Sequence, residues 1–85
     1  MFRISDAIRK TSTPDGAVLL DTQRGRILSL NRMGSRVFEM LAGGLDQIQI
    51  ASEISKDLSV DADQVRSDVR DFIRTLEVHN VLQAA

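Results

Sequence analysis

Residues 13–31 read TPDGAVLLDTQRGRILSLN, and this stretch decides the fold class. It contains two short apolar segments, 17–21 and 26–30, each bounded by residues that favour turns. Pro14 and Gly16 occupy the second and fourth positions that a type I turn favours. A polar connector of four residues that ends in glycine separates the two segments. The stretch therefore predicts two antiparallel strands joined by a short connection.

The rest of the chain adds a weaker strand candidate at 8–12 and three helical patterns. Asn31, Asp46 and Asp61 each stand where a capping residue would begin a helix, and a pair of glycines ends the first helical pattern. We therefore expect an α+β protein in which helices cover one face of a three-stranded antiparallel sheet. The expected organisation is a single domain over 1–85, with an N-terminal arm at 1–7, the sheet at 8–30 and three helices at 31–82.

The third helix is predicted to carry an apolar stripe. Its members Val65, Val69, Phe72 and Leu76 follow one another at helical spacing and fall within an arc of about 60°. Ile73 lies about 40° beyond that arc, at the rim of the stripe. The pattern predicts that Phe72 belongs to the core and that Ile73 is exposed beside the last strand.

Beside Ile73, the same helix carries a row of three arginines, Arg66, Arg70 and Arg74. One interpretation is a solvated face with weak ion pairs from Asp63 to Arg66 and from Asp71 to Arg74. The other is a basic rim beside an apolar groove, which would favour an acidic peptide. The spacing alone leaves both interpretations open.

Composition excludes several classes of site. The 85 residues include no cysteine, so disulfides and thiolate metal sites are absent. His79 is the only histidine, and no sequence pattern places it beside a nucleophile, so enzyme activity and metal binding are not expected. Neither a membrane-spanning run nor a signal peptide is recognisable, which predicts a soluble cytoplasmic protein.

The strand at 26–30 lies at one edge of the predicted meander, where its backbone N–H and C=O groups have no partner strand. Arg26 is the only charge on it, and it has no proline, so little protects this edge from pairing. Three occupants are possible: the N-terminal arm at 1–5, a second copy of the chain, or an extended peptide added as a fourth strand.

The ordered set of motifs resembles the PqqD-like family, the peptide-recognition domains of pathways that make ribosomally synthesised and post-translationally modified peptides. DGAVLLD at 15–21 is followed by GRILSLN at 25–31 and by Gly34. A helix ending in two glycines, a second capped helix and VDADQVRSDV at 60–69 follow in the same order. The resemblance extends from about residue 8 to residue 82.

This resemblance implies a relative of the winged helix-turn-helix fold that binds the leader segment of a precursor peptide. The leader would lie antiparallel to the third strand, in the groove between that strand and the third helix. No catalytic residue, metal or cofactor is expected. The implied peptide-binding residues are Arg26, Ile27, Leu28, Ser29, Leu30, Arg66, Val69, Arg70, Ile73 and Leu76.

The resemblance also implies partners. The domain would act as a peptide chaperone that presents the precursor to a modifying enzyme. A free-standing chain is similar to the recognition proteins of lasso peptide clusters, whose partner is a cysteine-protease leader peptidase. In the pyrroloquinoline quinone pathway the partner would be a radical S-adenosylmethionine enzyme. No membrane or nucleic-acid partner is expected, and the protein would be a monomer or a weak dimer.

A winged-helix DNA-binding protein is the alternative from another functional class. The net charge is −1, and residues 61–77 contain five acidic residues against three arginines. The strands also precede the helices, whereas a wing usually follows the recognition helix. Both features count against DNA binding. A homodimeric scaffold that pairs its edge strands is a third possibility.

Overall fold

The computed structural model describes residues 2–84. Over this range the elements in chain order are β1 (Phe2–Ile4), β2 (Ile8–Thr13), β3 (Gly16–Asp21), β4 (Arg26–Asn31), α1 (Arg32–Ala42), α2 (Gln47–Leu58), α3 (Ala62–Val78) and β5 (Leu82–Ala84). Strands β2, β3 and β4 form an antiparallel sheet in chain order. The predicted α+β class, with a three-stranded sheet followed by three helices, is confirmed.

A tight hairpin between β2 and β3 sets the geometry of the sheet. Gly16 follows the turn with φ +152° and stands opposite Asn31 at the far end of β4. A Cβ atom at this position would collide with the Leu30 carbonyl oxygen. Glycine is therefore required here for two reasons, its backbone conformation and the close approach of the two strands.

A second sheet, which the sequence did not predict, joins the two ends of the chain. Strand β1 pairs antiparallel with β5, so that Phe2 lies opposite Ala84 and Ile4 opposite Leu82. Helix α3 ends at Val78, and Asn80 turns the chain with φ +60° before β5 begins. Strands of three residues are too short to show an alternating pattern, so sequence periodicity does not reveal them. Residues 2–4 therefore pair with β5 and leave the edge of β4 uncovered.

The predicted caps are present at the start of all three helices. The Asn31 side chain accepts from the Gly34 N–H at 2.7 Å. Asp46 and Gln49 form a reciprocal capping box, with side chain to backbone distances of 2.8 and 2.9 Å. Asp61 accepts from the N–H two residues further along at 3.1 Å. Each cap satisfies backbone donors that a helix start leaves free, so the helix boundaries follow from local sequence.

The prediction for the buried face of α3 was wrong at two neighbouring residues. Ile73 is 2% exposed and belongs to the core together with Val65, Val69 and Leu76, whereas Phe72 is only half-buried. Helix α3 packs on α2 and on β5. These contacts centre its buried arc about 30° nearer to Ile73 than the stripe alone suggests. Phe72 is therefore left at the margin that faces β4.

Helix α2 buries Ile50, Ala51 and Ile54, while Ile48 is 74% exposed. Its contacts with α3 and α1 account for the burial of this face.

A charge placed at Ile73 tests this description of the core. Ile73→Glu buries a carboxylate with no partner, and we expect it to lower the free energy of unfolding by about 3 kcal/mol or more. Ile48→Glu is the matched control on an exposed isoleucine, with an expected change of about 0.5 kcal/mol or less. Urea denaturation measures both. Equal midpoints for the two variants would contradict the assignment of Ile73 to the core.

Candidate functional site

The edge of the larger sheet exposes backbone groups on alternate residues of β4. In an antiparallel ladder, successive residues of one strand bond to its two neighbours in turn. The Thr22 N–H donates to the Ala7 carbonyl at 2.9 Å, so even-numbered residues of the β3 segment bond to β2 and odd-numbered residues bond to β4. Leu28 lies opposite an odd-numbered residue and therefore bonds to β3. Ile27 and Ser29 consequently direct their N–H and C=O groups towards the open edge.

An apolar groove of 460 Å³ lies beside this edge, between β4, α1 and the first half of α3. Helix α3 packs on α2 and β5, while β4 packs on β3 and α1, which leaves the space between α3 and β4 open. Its apolar lining includes Leu30, Met33, Val37, Leu58, Val60, Val65, Val69 and Phe72. Its polar lining consists of Ser29, Asn31, Gln64 and Asp68. The groove combines an apolar floor with an unpaired strand edge.

Gly34 determines how one wall of the groove is built. A Cβ atom on Gly34 would lie 3.2 Å from Cε1 of Phe72 and 3.3 Å from the side-chain oxygen of Asn31. Because glycine has no side chain, the Phe72 ring packs against the first turn of α1 while Asn31 caps that turn. The Asn31 to Gly34 spacing noted in the sequence thus has two physical roles, capping the helix and admitting the ring.

A second cavity of 280 Å³ lies further along β4, towards its hairpin with β3. It is lined by Ile8, Leu19, Asp21, Arg26, Ile27, Leu28, His79 and Val81. Leu28 and Leu30 are two residues apart on the inner face of β4, so the two cavities adjoin the same strand. The second cavity is the more polar of the two, with three ionisable side chains in its lining.

Asp21 is the buried acid of this second cavity. Its carboxylate accepts from the backbone N–H groups of Gln23 and Arg24 at 3.0 and 3.1 Å and from the Arg24 guanidinium at 3.4 Å. Burial by itself raises the pKa of the Asp21 carboxyl, but these three donors outweigh it and hold the pKa below its ordinary value of 3.8. Asp21 therefore remains ionised and fixes the β3–β4 connection.

The residues predicted to form the binding site divide into three groups. Residues 26–30 form the open edge, as expected, and Val69 lines the groove. Ile73 and Leu76 are buried in the core and line neither cavity, so the expected exposed position of Ile73 was wrong. Arg66 and Arg70 lie on the opposite side of α3 from the groove, where Arg66 faces α2.

The arginine row behaves largely as a solvated face. Arg66 forms the predicted ion pair with Asp63. Asp71 pairs with Arg70 rather than with Arg74, at 3.4 Å. The row lies about 100° to 180° around the helix from Val65, and this angle directs it away from β4.

Three side chains of α3 that line the groove were not predicted as binding residues. Gln64, Asp68 and Phe72 are spaced four residues apart, like the arginines, but lie on the other flank of the buried arc. This second row is visible in the sequence. Assigning it to the groove requires knowing in which direction the buried face of α3 points. Met33 and Gly34 of α1 were missed because groove contacts between separate helices leave no periodic pattern.

Within residues 2–84, no group of three His, Asp or Glu side chains is arranged to hold a metal ion. No helix in this part of the chain has the length and apolar character needed to cross a membrane.

The environment of Asp21 predicts a specific dependence of stability on pH. The folded protein keeps this carboxyl ionised to lower pH than the unfolded chain does. Its contribution is therefore complete above the ordinary pKa of 3.8 and is lost as the pH falls below it. We expect Asp21→Asn to be less stable than the wild type at pH 6, and the difference to shrink at pH 3. Urea midpoints at the two pH values measure this, and a constant difference would contradict it.

Comparison with known proteins gives consistent results for family and fold. The family model for coenzyme PQQ synthesis protein D (PqqD) matches residues 16–82. The solved structure of TbiB1 in complex with the TbiA(beta) leader peptide is 35% identical, with a TM-score of 0.91 over 98% of this chain and 96% of that chain. Lasso peptide synthetase B1 complexed with the leader peptide has the same fold, with a TM-score of 0.90, 22% identity and 98% of both chains covered. No curated protein matches. The matched family model and the 35% identity over nearly the full length show that the chain belongs to the PqqD family.

Proposed function

We propose that this protein binds the leader segment of a ribosomally made precursor peptide by adding it as a fourth strand to the edge of β4. The observation that carries the proposal is the position of the open N–H and C=O groups of Ile27 and Ser29, directly beside the apolar groove between β4 and α3. The similar TbiB1 was solved with a leader peptide, which supports the same class of ligand here.

Strand addition uses two kinds of contact. Main-chain hydrogen bonds to Ile27 and Ser29 would hold any extended peptide, each contributing about 0.5–1.5 kcal/mol. Alternate side chains of that peptide would point into the groove, where Leu30, Val69 and Phe72 offer apolar surface. An antiparallel direction is favoured because antiparallel ladders are slightly more stable and the rest of this sheet is antiparallel. The ligand would then present apolar residues two positions apart.

We further propose that the protein is not itself an enzyme and that it acts in lasso peptide biosynthesis. It would hold the leader while a separate enzyme processes the rest of the precursor. A cysteine-protease leader peptidase is the proposed partner, and a radical S-adenosylmethionine enzyme is the alternative that the PqqD family suggests. The cytoplasm, where ribosomal precursors are made, is the proposed location.

A DNA-binding role has one observation in its favour, the exposed arginine row on α3. Against it, Asp63 and Asp71 already pair with two of these arginines, and Asp68 lies on the groove side of the same helix. DNA binding depends on cationic contacts to phosphates and falls steeply with salt. Retention on a DNA duplex that disappears with salt would support this alternative.

The main proposal is tested by calorimetric titration with the leader half of the precursor peptide that is encoded next to this protein. We expect one-to-one binding in the micromolar range or tighter, and much weaker binding of a scrambled peptide of the same composition. Light scattering over a dilution series tests the remaining alternative, since pairing of β4 edges between two copies would give a concentration-dependent dimer. A folded sample that binds neither peptide would contradict the proposal.

Substitution at Ile27 tests the contribution of the strand edge. Ile27→Pro removes the N–H that points to the open edge, and we expect leader affinity to fall about tenfold. The Ile27 side chain is 70% exposed, so Ile27→Ala retains the N–H and removes only surface side-chain atoms. We expect the alanine variant to lose less affinity than the proline variant, with circular dichroism confirming that both are folded. Equal affinities for the two variants would argue against strand addition at this residue.

A further inference from the structure

The apolar groove and the second cavity adjoin opposite ends of β4 and differ in charge. At the Asn31 end, the one ionisable side chain in the groove lining is Asp68 of α3. Its carboxylate accepts from the Gln64 side-chain amide at 2.9 Å, and the ion pairs found among residues 2–84 do not include it. Ser29, Asn31 and Gln64 are neutral. This end of the groove therefore presents a negative charge that no cation of the described chain balances.

The hairpin end of the same strand presents a positive charge. Arg26 lines the second cavity and lies opposite Asp21 in the β3–β4 register. The Asp21 carboxylate accepts from the Arg24 guanidinium and from two backbone N–H groups. Arg24 therefore balances the charge of Asp21, and the charge of Arg26 remains unbalanced. Arg26 has no ion-pair partner within residues 2–84, and His79 is the other ionisable group in this lining. Arginine carries its charge at any ordinary pH.

The separation of the two charges allows each to act on a different part of a bound peptide. Asn31 lies five positions after Arg26 along the extended strand, which corresponds to about 17 Å. The Debye length at physiological ionic strength is about 8 Å, so salt largely screens the charges of Asp68 and Arg26 from each other. A peptide strand lying along β4 would meet one charge with each of its ends.

We infer that Asp68 and Arg26 together select leader segments by the order of the charges along the segment, an inference that rests on the proposed function. A strand added antiparallel to β4 begins near Asn31 and ends near Arg26. The favoured ligand therefore carries a basic residue at the amino-terminal end of the docked segment, beside Asp68, and an acidic residue at its carboxyl-terminal end, beside Arg26. Four to six residues separate the two charges, as the length of β4 requires.

Peptides of identical composition test this inference. Truncated leader peptides first define the shortest segment that binds, with both termini capped to remove their charges. Three forms of that segment are then titrated: one with Lys first and Glu last, one with the two exchanged, and a neutral form with Gln at both positions. We expect the form with Lys first to bind about three- to tenfold more tightly than the exchanged form at low salt. Raising the salt concentration should reduce the difference.

Charge-reversed proteins identify the residues responsible. The double variant Asp68→Lys with Arg26→Glu should reverse the preference between the two charged peptides. Arg74→Glu is the matched control, because it reverses an exposed arginine of α3 that faces away from the groove and should leave the order of preference as in the wild type. Circular dichroism melts establish that each variant is folded.

The outcomes separate this inference from the proposed function. If the neutral form binds and the two charged forms bind equally, or in the opposite order, the charge inference is overturned while leader binding stands. If no truncated leader segment binds the folded protein, strand addition itself is overturned, and the charge inference with it. A preference that the double variant leaves unchanged would also overturn the assignment to Asp68 and Arg26.

Discussion

The junction at Asn31 is the constraint from which the rest of this structure follows. In one residue the sheet ends and the helices begin, and the side chain that accepts from Gly34 at 2.7 Å holds the turn between them. Gly16 permits the close strand approach opposite this junction, and Gly34 leaves room for the Phe72 ring of α3. With the first turn of α1 fixed in this way, α3 contacts α1 through Phe72 and leaves β4 open beside it.

An open strand edge is usually a hazard, because it invites pairing with other chains. Here the chain has a segment that could have covered it, but Phe2–Ile4 pairs instead with Leu82–Ala84. The exposed edge lies next to an apolar groove rather than next to bulk solvent alone. A peptide that pairs with β4 thus gains hydrogen bonds and apolar contact together, and both come from regular elements that need little rearrangement.

The parts of the fold that could be predicted are those decided by neighbours in sequence. The glycine and proline turn, the three caps and the two strands at 17–21 and 26–30 depend on residues a few positions apart, and all are present. The orientation of a helix about its own axis depends instead on distant partners. The spacing of α3 gives the width of its apolar stripe, but contacts with α2 and β5 decide whether Phe72 or Ile73 faces inward. The pairing of β1 with β5 is likewise a contact between chain ends that local patterns do not encode.

The orientation of α3 about its own axis decides the chemistry of the groove. Had Ile73 faced β4, the neighbouring arginine row would have formed a basic rim, and the expected ligand would have been acidic. With Phe72 there instead, the row beside the groove is Gln64 and Asp68, and two of the three arginines pair with Asp63 and Asp71 on the far side. Helix α3 therefore separates its charges onto two flanks, and only one of them can meet a strand bound along β4. The net charge of −1 is a sum over such separate surfaces, and it carries no information about the charge of the ligand that any one of them would bind.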